Sequence, residues 1–116
     1  MKNFFVYIMA SKPYGVLYVG ITSDLIKRVW QHKEGAVDGF TKKYQIKNLI
    51  YYETHESTES AILREKRIKK WNRSMKIDLI ERQNPLWEDL YKSLFPDPLL
   101  DKIPAYAGMT YEVGQA

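Results

Sequence analysis

Residues 4–22 have the sequence FFVYIMA-SKPYG-VLYVGIT, and this stretch decides the fold. Its outer runs, residues 4–10 and 16–22, are rich in aromatic and β-branched residues, and the segment between them has the composition of a turn. The pattern predicts an antiparallel hairpin. If the hairpin is symmetric about its turn, Ala10 pairs with Gly15, and Tyr7 therefore lies directly opposite Tyr18 on one face.

A helix is predicted immediately after the hairpin. Ser23 or Asp24 can cap it, apolar residues follow at helical spacing, and Gly35 is placed to end it after about residue 34. Arg28 and His32 are then one turn apart on the same face of this helix.

The remaining elements complete an α/β fold. Residues 48–54 predict a third strand, and Ser57 or Thr58 can cap a helix that extends to about residue 72. Another helix is expected over residues 74–82. We therefore predict a small three-stranded antiparallel sheet flanked by helices.

Length and composition set further bounds on the protein. The chain has 116 residues, which is an ordinary size for one domain, and it has no cysteine, so disulfides and thiolate metal sites are excluded. It lacks the apolar run of about 18 residues that a membrane span requires. Residues 1–4 lead straight into a strand rather than a signal peptide, so we expect a cytoplasmic protein.

The net charge of +4 is unevenly distributed along the chain. Lys and Arg minus Asp and Glu gives 16 − 9 = +7 for residues 1–84 and 2 − 5 = −3 for residues 85–116. This basic excess indicates either contacts to a phosphate backbone or a solvated helix face. Its densest part comprises Lys66, Arg67, Lys69, Lys70, Arg73 and Lys76.

Glu65 is difficult to explain as a surface residue. On a helical wheel it lies within about 60° of Ala61, Ile62 and Ile68, so it shares their apolar stripe. Carboxylates are seldom buried without a cation, which leaves a salt bridge, for example to Arg28, or a bound metal ion. Asn72 falls on the same side of the wheel, where it could contact the metal shell or a phosphate, or cap the helix end.

The order of these residues resembles a known family. Phe5-Val6-Tyr7 and Tyr18-Val19-Gly20 are followed by Arg28 and His32 in one helix and by Glu65 in the next. This arrangement is similar to the GIY-YIG endonucleases, especially their small single-domain bacterial branch, over roughly residues 3–84. Phe5 departs from the glycine that is usual in the first tripeptide, but the tyrosine is retained.

The resemblance implies metal-dependent cleavage of phosphodiester bonds. It implies that Glu65 holds Mg²⁺ or Mn²⁺, that Tyr7 is the base assisted by His32, and that Tyr18 positions water or phosphate. Arg28 would clamp the phosphoryl oxygens. The residues expected to contact nucleic acid are Lys27, Lys33, Lys66, Lys69, Lys70, Asn72 and Arg73.

The resemblance also suggests the partner and the setting. It favours DNA over RNA, with structure-selective or weakly specific cleavage in repair, recombination or processing by a monomer or weak homodimer. One alternative is a nucleic-acid-binding module without cleavage. The other is an interaction subunit of a larger repair assembly that docks through residues 86–95.

The C-terminal part is expected to differ from the domain of residues 1–84. Asn84 and Pro85 can start an amphipathic helix over residues 85–95, and we expect its apolar face to pack back on the domain. Residues 96–116 contain several prolines and glycines without periodicity, which predicts a flexible tail.

Overall fold

A three-stranded antiparallel sheet in the order β2-β1-β3 forms the centre of the fold, which confirms the predicted class. The computed structural model describes residues 3–37 and 39–95, so the predicted tail lies outside the described residues. The strands are β1 (Phe4–Ala10), β2 (Leu17–Thr22) and β3 (Asn48–His55). The helices are α1 (Leu25–Lys33), α2 (Gly39–Lys43), α3 (Thr58–Lys70), α4 (Arg73–Gln83) and a 3₁₀ helix (Leu90–Leu94).

The register of the β1–β2 hairpin differs from the symmetric prediction by two residues. Ala10 pairs with Leu17 rather than Gly15, so Tyr7 faces Gly20 and Tyr18 faces Met9. Ser11 and Val16 close the loop, since the Ser11 amide donates to the Val16 carbonyl at 3.0 Å and the Val16 amide donates to Ser11 Oγ at 2.9 Å. Since a shift of two residues preserves the face, both tyrosines still lie on one side of the sheet, as neighbours on a diagonal.

The two faces of the sheet are covered by different helices. On one face, the buried residues of β1 pack with α3 and α4. On the other face, where Tyr7 and Met9 lie, the sheet packs with α1 and with the segment that follows α2. Successive side chains of β1 lie on opposite faces of the sheet, which places the tyrosine pair under α1 and the apolar stripe of α3 on the opposite side.

Side-chain caps start the α-helices α1, α3 and α4. Asp24 caps α1, Ser57 caps α3, and Asn72 caps α4 by accepting a 2.9 Å hydrogen bond from the Met75 amide. These caps agree with the expected starts to within one residue. Helix α2 was not expected, because five residues are too few to show a helical period.

The α-helix predicted over residues 85–95 is wrong. Trp87 has a left-handed backbone with φ of 56°, and only Leu90–Leu94 forms a short 3₁₀ helix. Two hydrogen bonds to β3 explain the difference: the Asn84 side chain donates to the Ile50 carbonyl, and the Asp89 carboxylate accepts from the Leu49 amide. The expected packing is confirmed, because Trp87 is buried and the apolar residues of the 3₁₀ helix contact the core.

The loop between β1 and β2 is held against α4. Arg73 donates hydrogen bonds of 2.6 and 2.8 Å to the carbonyls of Tyr14 and Gly15. The Tyr14 hydroxyl donates to the Glu81 carboxylate, and its ring stacks on Trp87 at 4.7 Å between centroids. Arg73 therefore contributes to the position of the tyrosine hairpin.

A polar network joins β3 to α3. The Glu53 carboxylate accepts hydrogen bonds of 2.9 Å from Arg64 Nε and 2.5 Å from the Tyr51 hydroxyl, and lies 2.6 Å from His55 Nε2. His55 Nδ1 lies 2.6 Å from Ser60 Oγ at the start of α3. Because Arg64 precedes Glu65, this network helps set the rotation of α3.

Replacing Glu53 with glutamine is expected to lower the free energy of unfolding at neutral pH by about 1–2 kcal/mol, since charge-assisted hydrogen bonds are lost. Partial burial opposes ionisation of Glu53, but the hydrogen bonds from Arg64, Tyr51 and His55 outweigh it and hold its pKa below the ordinary value. The stabilisation is therefore present above the unfolded-state pKa of about 4.5 and is lost as pH falls through the lower folded-state pKa.

Urea unfolding of both proteins between about pH 7 and pH 3 checks this expectation. The difference in the free energy of unfolding between wild type and Glu53→Gln should become smaller as the pH falls. Glu59→Gln removes an exposed carboxylate from the first turn of α3, the helix that the Glu53 network joins to β3, and is the control. A difference that stays constant over this pH range would contradict the prediction.

Among the described residues, no helix is long and apolar enough to cross a membrane.

Candidate active site

Tyr7 and His32 form a buried hydrogen-bonded pair. The Tyr7 hydroxyl lies 3.1 Å from His32 Nε2, and the two residues are 1% and 2% exposed. The central strand supplies Tyr7, while α1 supplies His32 from the buried face of its last turn. The sheet and α1 therefore meet at a tyrosine–imidazole contact through which a proton can move.

Gly20 leaves the space that the Tyr7 ring occupies. A Cβ atom at Gly20 would lie only 2.6 Å from Tyr7 Cζ and Oη. Such a distance is far below van der Waals contact, so only glycine lets the ring rest against β2 without displacement. The glycine of Tyr18-Val19-Gly20 therefore determines where the hydroxyl of Tyr7 lies.

Tyr18 and Arg28 are the partly exposed members of the predicted set. The Tyr18 ring lies 6.3 Å from the Tyr7 ring and 5.2 Å from the His32 ring, measured between centroids. Arg28 lies one turn before His32 on α1, and no carboxylate in residues 3–37 or 39–95 pairs with its guanidinium. The salt bridge between Arg28 and Glu65 that the sequence left open does not form.

Glu65 is shielded from solvent, but it lies on α3 and not on the hairpin or α1, which carry the other predicted site residues. Its side chain is 13% exposed and pairs with Lys69, one turn later on α3, at 2.7 Å. Helix α3 packs against β2 and β1, with Ala61 and Ile68 buried in the core on the other face of the sheet. Within the described parts of the chain, no hydrogen bond or ion pair joins Glu65 to the tyrosine–histidine cluster.

The surroundings of Glu65 limit which metal could bind there. Its one ion-pair partner among the described residues, Lys69, is 53% exposed and can move into solvent, which would leave a shielded carboxylate for a cation. No cluster of three or more His, Cys, Asp or Glu side chains is placed to hold a metal ion in residues 3–37 and 39–95. This donor set fits a hard cation such as Mg²⁺, which keeps several water ligands, and does not fit a metal that needs three side-chain ligands.

The structure divides the residues expected to contact nucleic acid into two groups. Lys33, Asn72 and Arg73 have structural partners, since Lys33 pairs with Asp89 at 2.5 Å and the other two hold α4 and the hairpin loop. The other group comprises Lys27, Lys66, Lys69 and Lys70, which are exposed, as are Asn72 and Arg73. All seven residues stay predictions as contacts to nucleic acid.

The sequence had identified each member of the tyrosine cluster but not the requirement for Gly20. Gly20 itself was a signal in the sequence, because a glycine inside a strand often marks the close approach of another group. The predicted register paired Tyr7 with Tyr18 instead of Gly20, so the contact between Gly20 and the Tyr7 ring was missed.

Comparison with known proteins agrees with this geometry. A model of the GIY-YIG catalytic domain matches residues 3–78. A UPF0213 protein from Staphylococcus aureus strain Mu3 is 35% identical over 83 residues, which are 72% of this chain and 100% of that protein. The same figures hold for a UPF0213 protein from strain Mu50.

A solved structure supports the fold directly. The solution NMR structure of a UPF0213 protein from Bacillus halodurans has a TM-score of 0.50 and 28% identity, and the match covers 78% of this chain and 95% of that one. Because the GIY-YIG domain model matches residues 3–78, the chain belongs to the GIY-YIG family, which is a family of nucleases. Within it, the chain is similar to small bacterial UPF0213 proteins, whose names specify no substrate.

Proposed function

We propose that this protein is a metal-dependent endonuclease that hydrolyses DNA phosphodiester bonds. The observation that carries the proposal is the hydrogen-bonded pair of Tyr7 and His32, 3.1 Å apart, in a GIY-YIG fold. Beside this pair are Tyr18 and the cation Arg28, which has no carboxylate partner among the described residues. A binding-only protein needs cations on its surface but has no need of a buried proton-transfer pair.

Tyr7 is the proposed general base. A phenol is a poor base at neutral pH because its ordinary pKa is about 10, so its proton must have an acceptor nearby. His32 Nε2 is within hydrogen-bond distance of the Tyr7 hydroxyl and can take that proton when its tautomer leaves Nε2 unprotonated. The attacking water would reach Tyr7 past Tyr18 and Arg28, the partly exposed members of the cluster.

Arg28 and Tyr18 are the proposed contacts to the phosphate. Negative charge builds on the phosphoryl oxygens during hydrolysis, and a permanently charged guanidinium can stabilise it with paired hydrogen bonds. Pairing with a carboxylate would weaken that role, and the described residues supply none for Arg28. The Tyr18 hydroxyl would orient the water or a phosphate oxygen.

Glu65 is the proposed ligand for Mg²⁺ or Mn²⁺. When bound, such an ion neutralises charge on the phosphate and assists departure of the leaving oxygen. The side chain of Lys69 would leave Glu65 at that stage and become available to the phosphate backbone.

The proposed substrate is DNA of weakly specified sequence. The exposed cations on α1 and α3 can neutralise phosphates on any sequence, because contacts to the phosphate backbone carry no sequence information. We place the activity in repair, recombination or processing of DNA in the bacterial cytoplasm, carried out by a monomer or weak homodimer.

Cleavage of supercoiled and single-stranded DNA in Mg²⁺, Mn²⁺ or chelator tests the proposal. The wild-type protein should cut only with metal, and Glu65→Gln should lower the cleavage rate at least about 100-fold, because the metal ligand is lost. Binding in chelator should be kept or strengthened by Glu65→Gln, since one negative charge is removed.

Glu59→Gln is the matched control, because it removes an exposed carboxylate from the first turn of the same helix. It should cleave at nearly the wild-type rate. Wild-type protein that binds DNA but cuts none of these substrates, nor branched DNA or RNA, would replace the proposal with the binding-module alternative.

A further inference from the structure

A small aromatic and basic surface lies on α2, which the proposed chemistry does not use. Phe40 and Tyr44 are 47% and 41% exposed, and their ring centroids are 5.0 Å apart. Lys43 Nζ lies 5.4 Å from the centroid of the Tyr44 ring. We call Phe40, Tyr44, Lys42 and Lys43 the α2 platform.

The anchoring of α2 leaves these rings at the surface. Thr41 is buried, and Ile46, which follows the helix, is fully buried in the same core cluster as Tyr7. Gln45 has a left-handed φ of 55°, and the Ile46 amide donates to the Thr41 carbonyl at 3.0 Å, which closes the helix C-terminus. The helix is thus held by one face and its end, while Tyr44 stays outside the core.

Three lysines lie within the platform or directly after it, and Asp38 precedes α2 in the sequence. Residues 39–47 contain Lys42, Lys43 and Lys47 and no Asp or Glu. An aromatic face next to ammonium groups suits a polyanion whose planar groups are exposed, because the rings stack on bases while the lysines neutralise phosphates. In duplex DNA the base faces are hidden in the stack, so the duplex could use only the charges.

We infer that the α2 platform binds unpaired nucleotides, with Tyr44 and Phe40 stacking on bases and Lys43 and Lys42 contacting phosphates. This inference rests on the proposed function and defines its substrate class as DNA with a single-stranded region. The core cluster of Ile46 and Tyr7 puts the platform and the catalytic cluster on the same side of the sheet. One strand could therefore contact both.

Fluorescence anisotropy with a labelled oligothymidylate and a duplex of equal length tests the platform. The titrations use chelator, so binding is measured without cleavage. Tyr44→Ala and Phe40→Ala should each weaken single-strand binding about 5- to 100-fold and change duplex binding by less than about twofold. Tyr44→Trp should retain single-strand binding, because it keeps an aromatic face.

Lys43→Ala should weaken binding to both DNAs and reduce the salt dependence by about one phosphate contact, whereas Tyr44→Ala should leave the salt dependence unchanged. Phe95→Ala, which truncates an aromatic ring that is 43% exposed beyond the 3₁₀ helix, is the control and should behave as wild type. Circular dichroism of each variant verifies the fold.

Equal loss of single-strand and duplex binding in Tyr44→Ala, or no loss in either, would overturn the platform. So would failure of Tyr44→Trp to retain single-strand binding. The proposed function can fail separately: wild type that binds single strands through Tyr44 but cuts nothing supports the platform and refutes the endonuclease. If the protein cuts DNA only with metal but Tyr44→Ala does not change single-strand binding, the endonuclease is supported and the platform is refuted.

Discussion

Replacing Tyr7 with phenylalanine is expected to lower the rate of DNA cleavage about 10²–10⁴-fold, which is the range of a lost general base. The change removes only the hydroxyl that lies 3.1 Å from His32 Nε2 and leaves the ring that packs against Gly20. The loss should therefore appear in the chemical step. Single-turnover rates at saturating protein measure that step without a contribution from product release.

Stability and binding distinguish a chemical role of Tyr7 from a structural one. Loss of one buried hydrogen bond should lower the free energy of unfolding by about 1 kcal/mol, and DNA binding in chelator should change by less than about twofold. Tyr52→Phe is the matched control, since Tyr52 lies opposite Tyr7 on β3 and packs against the same core cluster. Equal rates for Tyr7→Phe and wild type would remove Tyr7 from the mechanism.

Gly20→Ala is expected to abolish most of the activity while the protein still folds. The added Cβ would lie 2.6 Å from the end of the Tyr7 ring, which is 1% exposed and so must shift within the protein interior. Overpacking of this kind costs about 1–3 kcal/mol of stability. Displacement of the hydroxyl by about 1 Å from His32 should reduce cleavage about 100-fold.

Gly39→Ala is the matched control, because a Cβ built at Gly39 meets no atom within 4 Å from the described residues beyond its chain neighbours and its own helix. Its unfolding free energy should stay within about 1 kcal/mol of wild type, since alanine is the better helix former. Urea unfolding and cleavage assays of the two variants give the comparison. The explanation of the Tyr18-Val19-Gly20 glycine fails if Gly20→Ala matches the control in both measurements.

The elements of the fold followed from local patterns. The aromatic and β-branched content of two runs and the turn composition between them predicted β1 and β2, and the caps at Asp24 and Ser57 predicted α1 and α3 to within one residue. Each of these signals depends on residues that are near one another in the chain, so the sequence carries them directly. The apolar period of residues 85–95 was just as clear, but it predicted an α-helix that does not form.

Hydrogen bonds between side chains and backbone accompany both departures from the predicted pattern. The pairing of Ser11 with Val16 is local to the hairpin loop and goes with the changed partner of Tyr7. The bonds of Asn84 and Asp89 to β3 are tertiary contacts, and they hold the segment in which a 3₁₀ helix replaces the predicted α-helix. No helical or strand period encodes contacts of either kind.

The candidate site shows the same division between local and tertiary information. The sequence by itself determined the family, which the match over residues 3–78 confirms, and it predicted that Tyr7, Tyr18, Arg28, His32 and Glu65 form one site. Only the tertiary structure decided their contacts: Tyr7 with His32, Gly20 beneath the Tyr7 ring, and Glu65 with Lys69 instead of Arg28. Residue types and spacing are local properties of the chain, whereas distances between side chains depend on how the sheet and helices pack.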